Sequence, residues 1–320
     1  MKFMIRGLVS ACVLWAACNA AMGQTIEFNS LDRKQGFAAL LGGRAQYTDK
    51  IHGTFTRPTG ATGNVPVMVI MHGSAGVSED GTGAWSKYLL GLGLATFVVD
   101  SLTPRGIIAT GGDQSQLGYS ASTVDALLAL KAVSSQPGVD AKRIGVIGFS
   151  RGAFAAAASS FENVRASVLG ADSPLRFGLH VAYYGGCNAV GTTTGAPIAL
   201  FIGTADDYVT AETCAANVEA LRAKGANIDF TVYPGAFHGF DMVKDRNMYR
   251  AQVQNYRGCV INQNLDDLTY SAGGKPVTSK EYGDYLGKCM TRGISVGYSP
   301  SAATDAQKKV RSLIIKNFAM

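Results

Sequence analysis

Residues Arg143 to Phe161 read RIGVIGFSRGAFAAAASSF, and few backbone arrangements accommodate that order of residue types. Ile144, Val146 and Ile147 are β-branched and apolar, which suits a buried strand. Gly148-Phe149-Ser150-Arg151-Gly152 follows, and then a small-residue, alanine-rich run of helical character. A strand that meets a helix through G-x-S-x-G turns sharply, and side chains beside the serine would clash in so tight a turn. The serine oxygen is then pushed out at the end of a sheet, which is the layout of a nucleophile elbow. The stretch therefore predicts covalent catalysis at Ser150.

The pattern alone is weak in a chain with 39 glycines. It recurs at Gly293-Ile294-Ser295-Val296-Gly297, with no buried strand before it, no alanine-rich helix behind it and no histidine after it. A serine there cannot head the chain order Ser…Asp…His. Ser295 is accordingly read as loop, and Ser150 as the candidate.

The rest of the chain alternates strand and helix signals. Gly53-Thr54-Phe55 predicts an early edge strand and Gly60 to Gly63 a turn. Buried strands are expected at Val65 to Met71 and Ala95 to Val99, and further strands at Arg143 to Ile147, His180 to Tyr184, Pro197 to Ile202 and Ile228 to Tyr233. Helices are expected at Trp85 to Leu90, at Thr123 to Ser134 with Ser122 or Thr123 as cap, and at Ala211 to Ala223. A last helix is expected at 302–318 with Ser301 as cap. Several strands are apolar on both faces, the mark of an α/β fold whose mostly parallel sheet is covered by helices. The polar stretch 258–297 has no clear periodicity and is read as a loop region.

The amino terminus has the form of a secretory signal peptide, 1–23: Lys2 and Arg6, an apolar run from Gly7 to Ala17, and small residues up to Gly23. A lipoprotein anchored at Cys18 is the alternative. No stretch is long and apolar enough to span a bilayer. Residues 24–320 then suit one domain. Without Lys2 and Arg6 the formal charge falls from +6 to +4, with no basic run, so nucleic acid is not an expected partner. Cys187, Cys214, Cys259 and Cys289 remain, an even number in an exported chain, and suggest two disulfides. Of three possible pairings, Cys187–Cys214 and Cys259–Cys289 join sequence neighbours. No close-spaced cysteine pair and no adjacent histidine points to a metal.

Ser150 needs a base, and the base needs an acid to orient it. His238, in Tyr233-Pro-Gly-Ala-Phe-His-Gly-Phe-Asp241, falls just past a strand end, where parallel sheets place their sites. His72 is expected to order the loop after an early strand, His180 to be an internal strand residue, and His52 lies near the start. Between serine and histidine, Phe201-Ile202-Gly203-Thr204-Ala205-Asp206-Asp207 offers a strand, a glycine turn and a carboxylate. Asp206 is the first choice and Asp207 the reserve, although both could cap the next helix. An oxyanion hole needs two convergent N–H donors. Arg151, at the start of the helix after the elbow, supplies one. The loop His72-Gly73-Ser74-Ala75-Gly76 supplies the other, from Ser74 or else Ala75.

Together HGSAG, VDSLTPRG, GFSRG, GTADDYVTAETC and YPGAFHGFD resemble the dienelactone hydrolase family, and more narrowly its exported, serine-bearing members. The resemblance spans Gly53 to about Asp241 and implies an α/β-hydrolase fold, no cofactor, a Ser150–His238–Asp206 triad, and attack on a small ester or lactone. It also implies that Cys187–Cys214 braces the loop carrying Asp206. The name-giving enzymes use a cysteine nucleophile and hold the substrate carboxylate with two arginines. Here Arg105 falls at one of those places and Met242 at the other. Arg105 could bind an anionic group or hold its own loop through backbone carbonyls. An amide or peptide hydrolase, and a catalytically silent binding protein of the same fold, are the competing functions.

Overall fold

A computed structural model describes residues 23–244 and 247–320. The expected leader up to residue 22, Cys18 included, lies outside the described residues.

Eight strands make the central sheet: β1 (Gln24–Ser30), β2 (Asp49–Thr56), β3 (Val65–Met71), β4 (Ala95–Asp100), β5 (Val139–Phe149), β6 (Leu179–Tyr183), β7 (Ile198–Gly203) and β8 (Ile228–Tyr233). Their spatial order is β1-β2-β4-β3-β5-β6-β7-β8. β2 is antiparallel to both β1 and β4, and every pair from β4 across to β8 is parallel. The apolar runs explain the centre of this sheet. Along β3, Val67, Val69 and Met71 enter one core and Met68 and Ile70 the other, as the two-residue period of a strand requires. Gly53-Thr54-Phe55, expected as an edge, instead lies inside β2, because β1 covers it. A Cβ at Gly53 would sit 2.6 Å from the Phe97 ring of β4, so glycine leaves room for that ring.

The helices are α1 (Phe37–Leu41), α2 (Ala84–Gly91), α3 (Tyr119–Ser134), α4 (Arg151–Ala158), α5 (Glu162–Leu169), α6 (Ala211–Ala223), α7 (Ser279–Cys289) and α8 (Pro300–Phe318). Apolar residues of α1 and α3 to α6 fill the core on one face of the sheet, and those of α2 and α8 fill the other. Two expected caps are displaced. α3 starts a turn early, after Gly118, and Thr123 turns its hydroxyl back to the carbonyl of Tyr119 at 2.9 Å. α8 starts at Pro300, whose fixed φ suits a first helical position, so Ser299 and not Ser301 precedes the helix.

The stretch 258–297, expected as loop, holds regular structure. β9 (Met248–Asn255) pairs with β13 (Thr291–Val296), and β10 (Ile261–Asn264), β11 (Thr269–Ala272) and β12 (Lys275–Val277) form a small antiparallel sheet beside α7. Ser295 therefore lies on a strand and not in a loop. These strands are short and mostly polar, too short to display a period, and they are held by pairing and by a covalent tie. Two disulfides are present, Cys187–Cys214 and Cys259–Cys289. Among the described residues no helix is long and apolar enough to cross a membrane.

Candidate active site

Ser150 sits at the carboxyl end of β5 with φ 53° and ψ −114°, a conformation that costs a non-glycine residue on the order of 1–3 kcal/mol. It is held there by its N–H donating to Tyr183 at 3.0 Å and by its carbonyl accepting from Ala153 at 2.9 Å. The flanking glycines answer a close approach. A Cβ at Gly148 would overlap the backbone of Gly152, and one at Gly152 would overlap the carbonyls of Met71 and His72. α4 thus starts directly against the ends of β3 and β5.

The loops after β7 and β8 bring Asp206 and His238 to the same point. Nε2 of His238 lies 2.9 Å from Oγ of Ser150, and Nδ1 lies 2.9 Å from Oδ2 of Asp206. The other carboxylate oxygen, Oδ1, accepts the N–H groups of Tyr208 at 2.9 Å and Val209 at 2.8 Å. Asp206 and His238 are both buried. A carboxylate at Nδ1 keeps the proton on that nitrogen and leaves Nε2 to accept from the serine. Asp207 points elsewhere: its side chain accepts from the N–H of Ser295 and its carbonyl from the Asn255 amide. Neither carboxylate caps α6, because Thr210 does so.

Two tyrosines not anticipated from sequence flank the histidine. The ring of Tyr184 lies 4.8 Å from that of His238 and the ring of Tyr208 lies 5.0 Å away. The Tyr184 hydroxyl donates to Asp241 at 2.8 Å, and Trp85 Nε1 donates to the other oxygen of the same carboxylate at 2.8 Å. Burial pushes the Asp241 carboxyl up, against the pull of those two donors. Tyr184 has a positive φ of 41°, and a Cβ on the next residue, Gly185, would sit 2.5 Å from the Ser150 carbonyl. Aromatic-Gly-Gly at a strand end was the available signal for this contact; Asp241 stood in the histidine motif without a role.

The loop after β3 turns back at Gly73 to Gly76, closed by a 3.1 Å hydrogen bond. His72 ties it down: Nδ1 donates to the Gly73 carbonyl at 2.7 Å while Nε2 accepts the N–H of Ser101 at 3.1 Å. Burial lowers the pKa of His72, in keeping with a neutral ring in this role. A Cβ on Gly73 would stand 3.5 Å from Cβ of Ser150, so this loop runs beside the elbow. The first N–H groups of a helix have no intrahelical acceptor, and Arg151 is the first residue of α4. Gln114 links the parts. Its side chain donates to Ser74 Oγ at 3.1 Å and to the Tyr208 hydroxyl at 3.0 Å, and accepts from the Arg151 guanidinium at 2.5 Å. No periodicity or motif marks Gln114 in the sequence.

Of the two roles expected for Arg105, its contacts favour holding its own loop. Nε donates to Asp49 at 2.6 Å; Nη1 donates to the Ser101 carbonyl at 2.9 Å and to Asp125 at 2.8 Å. Nη2 donates to the Leu31 carbonyl at 3.1 Å and to Asp125 at 3.0 Å. A guanidinium has five N–H donors, and all are engaged. Burial pulls its pKa down, but the two carboxylates more than offset this. Arg105 is a buried strut tying the loop after β4 to Leu31 just past β1, to β2 and to α3, with all its donors engaged within the protein, and it does not line the cleft described next.

That cleft, about 380 Å³ in volume, opens on Ser150 and Arg151. Leu117, Phe154 and Val209 line it from the α/β body, and Ile261, Tyr282 and Leu286 from the tail. Cys187–Cys214 joins the loop after β6 to α6, which follows the Asp206 loop. Cys259–Cys289 joins the approach to β10 to the end of α7.

The chain matches the model of the dienelactone hydrolase family over residues 51–258. Among curated proteins none matches it. Among solved structures it is similar to a provisionally assigned dienelactone hydrolase of Klebsiella pneumoniae, with 17% identity, 92% of this chain and 99% of that chain covered, and a TM-score of 0.55. It is also similar to a protein called m3DLH, with 16% identity, 92% and 99% coverage, and a TM-score of 0.54. The esterase Est2 of Thermogutta terrifontis, with propionate bound, matches at 16% identity over 68% of this chain and 86% of that one, with a TM-score of 0.47. The first two likenesses are of fold. With the family model spanning most of the sheet and the loops at its carboxyl ends, this chain belongs to the dienelactone hydrolase family.

Proposed function

We propose that the chain is an exported serine hydrolase that cleaves ester or lactone bonds through an acyl-enzyme. The observation that carries this reading is the His238 ring, bonded through one nitrogen to Asp206 and through the other to Ser150 Oγ. His238 takes the hydroxyl proton as Oγ attacks the substrate carbonyl. The resulting oxyanion rests on the N–H groups of Ser74 and Arg151. The imidazolium, stabilised by Asp206, protonates the departing alcohol, and the ester C–O bond breaks. Water then enters, gives its proton to His238 and attacks the acyl carbonyl; His238 returns the proton to Ser150 as the acid leaves. Export rests on the leader-like amino terminus and agrees with two disulfides, which persist in oxidising compartments.

The test is hydrolysis of short p-nitrophenyl esters by the oxidised chain beside Ser150→Ala. The reading expects a loss of at least about a thousandfold in the mutant. A folded wild type that neither hydrolyses the panel nor reacts at Ser150 with a fluorophosphonate would sink it.

A further inference from the structure

We infer that the stapled segment from Cys259 to Cys289 is the wall that sets the size of group this enzyme accepts, and that this group is apolar and not cationic. The inference rests on Ser150 being the nucleophile. The cleft beside Ser150 is closed on its far side by Ile261 of β10 and by Tyr282 and Leu286 of α7, with Cys259 itself in the lining. On α7, Tyr282, Tyr285, Leu286 and Cys289 recur at the spacing of one helical face. None of them is fully buried, although this is the apolar side of the helix. The half-covered stripe is explained by the cleft, which Tyr282 and Leu286 border. Tyr270 of β11 packs on Tyr282 with ring centroids 5.1 Å apart, backing the wall from behind.

The disulfide gives the wall its position. It joins Cys259, two residues before β10, to the last residue of α7, so the two elements facing the cleft cannot part. The segment is also anchored to the body, by Leu265 buried in the main core, by the Val190 N–H donating to the Gln263 carbonyl at 2.9 Å, and by Asn262 bonded to Asn217 at 2.8 Å. The family match ends at residue 258. The proposed catalytic residues lie inside the matched part and the wall lies outside it, so the size limit belongs to this chain's own tail.

The cleft's chemistry narrows the occupant. Among the described residues lining it there is no carboxylate, while Arg151 and Arg257 are cations. Arg151 is buried, bonded to the Thr110 hydroxyl, the Leu117 carbonyl and Gln114. A cationic group would meet that field without a counter-charge.

The experiment measures kcat/KM for two ester series, one lengthening the acyl chain and one the alcohol, with wild type, Leu286→Ala, Tyr282→Ala and Leu286→Trp. In one series the wild type should fall off beyond a size limit. Relative to the acetate ester measured on the same protein, the alanine variants should raise kcat/KM on the first disfavoured ester at least about fivefold, and the tryptophan variant should lower the limit. Full acetate hydrolysis with the same size limit in all four proteins would overturn the wall. So would faster turnover of a choline ester than of its uncharged analogue. An inert, unlabelled wild type is a different result, and it overturns the assignment of Ser150 along with the wall.

Discussion

Asp207 accepts the main-chain N–H of Ser295 at 2.8 Å, tying the loop that carries Asp206 to β13, which runs beside the His238 loop. The carbonyl of His238 in turn accepts from Gly297 at 3.1 Å. The tail is therefore bolted to the loops of both the proposed acid and the proposed base, and the two neighbouring aspartates divide the work.

Asp206→Asn should lower kcat by on the order of a thousandfold, because the amide can donate to Nδ1 and favour the wrong tautomer. Asp207→Ala should lower activity less than about tenfold while reducing Tm by a few degrees, since it leaves an N–H unpaired at a cost of about 1–3 kcal/mol. Parallel kinetics and melting curves decide this. A larger kinetic loss at Asp207 would reverse the two roles.

Arg105→Lys should destabilise the fold without altering substrate affinity. Lysine keeps the charge but cannot reproduce the fork held by Asp125 and Asp49. Breaking a buried pair costs about 3–5 kcal/mol, and part of this should appear as a lower Tm. KM for neutral and carboxylate-bearing esters should stay within about twofold. A selective rise in KM for the acidic esters would restore Arg105 to substrate binding.

Replacing Gln114 by leucine should lower kcat by about ten- to a hundredfold with little change in KM. The change leaves Ser74 Oγ and the Tyr208 hydroxyl without their partner, so the proposed oxyanion loop and the His238 pocket lose a shared anchor. Equal losses on kcat and affinity would mark Gln114 as a binding residue instead.

Acid should weaken the fold through His180. The ring is fully buried, and burial lowers its pKa from 6.5 to about 4 despite the bond to the Ala156 carbonyl. The unfolded chain binds the proton first, so stability is complete above about pH 6.5 and falls as pH drops toward 4. The full effect is on the order of 3 kcal/mol. His180→Asn, which can keep a donor toward Ala156, should flatten the decline of Tm over that range. An unchanged slope would assign acid sensitivity to other groups, His72 among them.

Removing Cys187 and Cys214 together by alanine should cost about 2–5 kcal/mol and lower activity, because the bridge joins the loop after β6 to the helix that follows Asp206. Full activity in the double variant at a temperature well below its Tm would show that the bridge stabilises the fold without bracing the acid.

Much of this site was legible in the residues alone. Ser150 stands between glycines that must be small, after a strand and before an alanine-rich helix, and that order describes a local shape. Asp206 and His238 each follow an apolar strand at a short, glycine-bearing turn. In a parallel sheet such turns share one edge, so sequence order was enough to bring three residues together. Residues whose partners come from distant elements were not legible. The resemblance suggested an acid-binding place for Arg105, yet which carboxylates surround it depends on how β1, β2 and α3 pack. Gln114 carries no local pattern, and it, Tyr184 and Asp241 each acquire their contacts only when separate loops converge. The tail was the least readable part, because strands of three or four residues and a half-buried helix give too few turns of any period to register. Local backbone preference and apolar periodicity thus determined the sheet and the order of its loops. Long-range pairing and packing decided which side chains those loops present to one another.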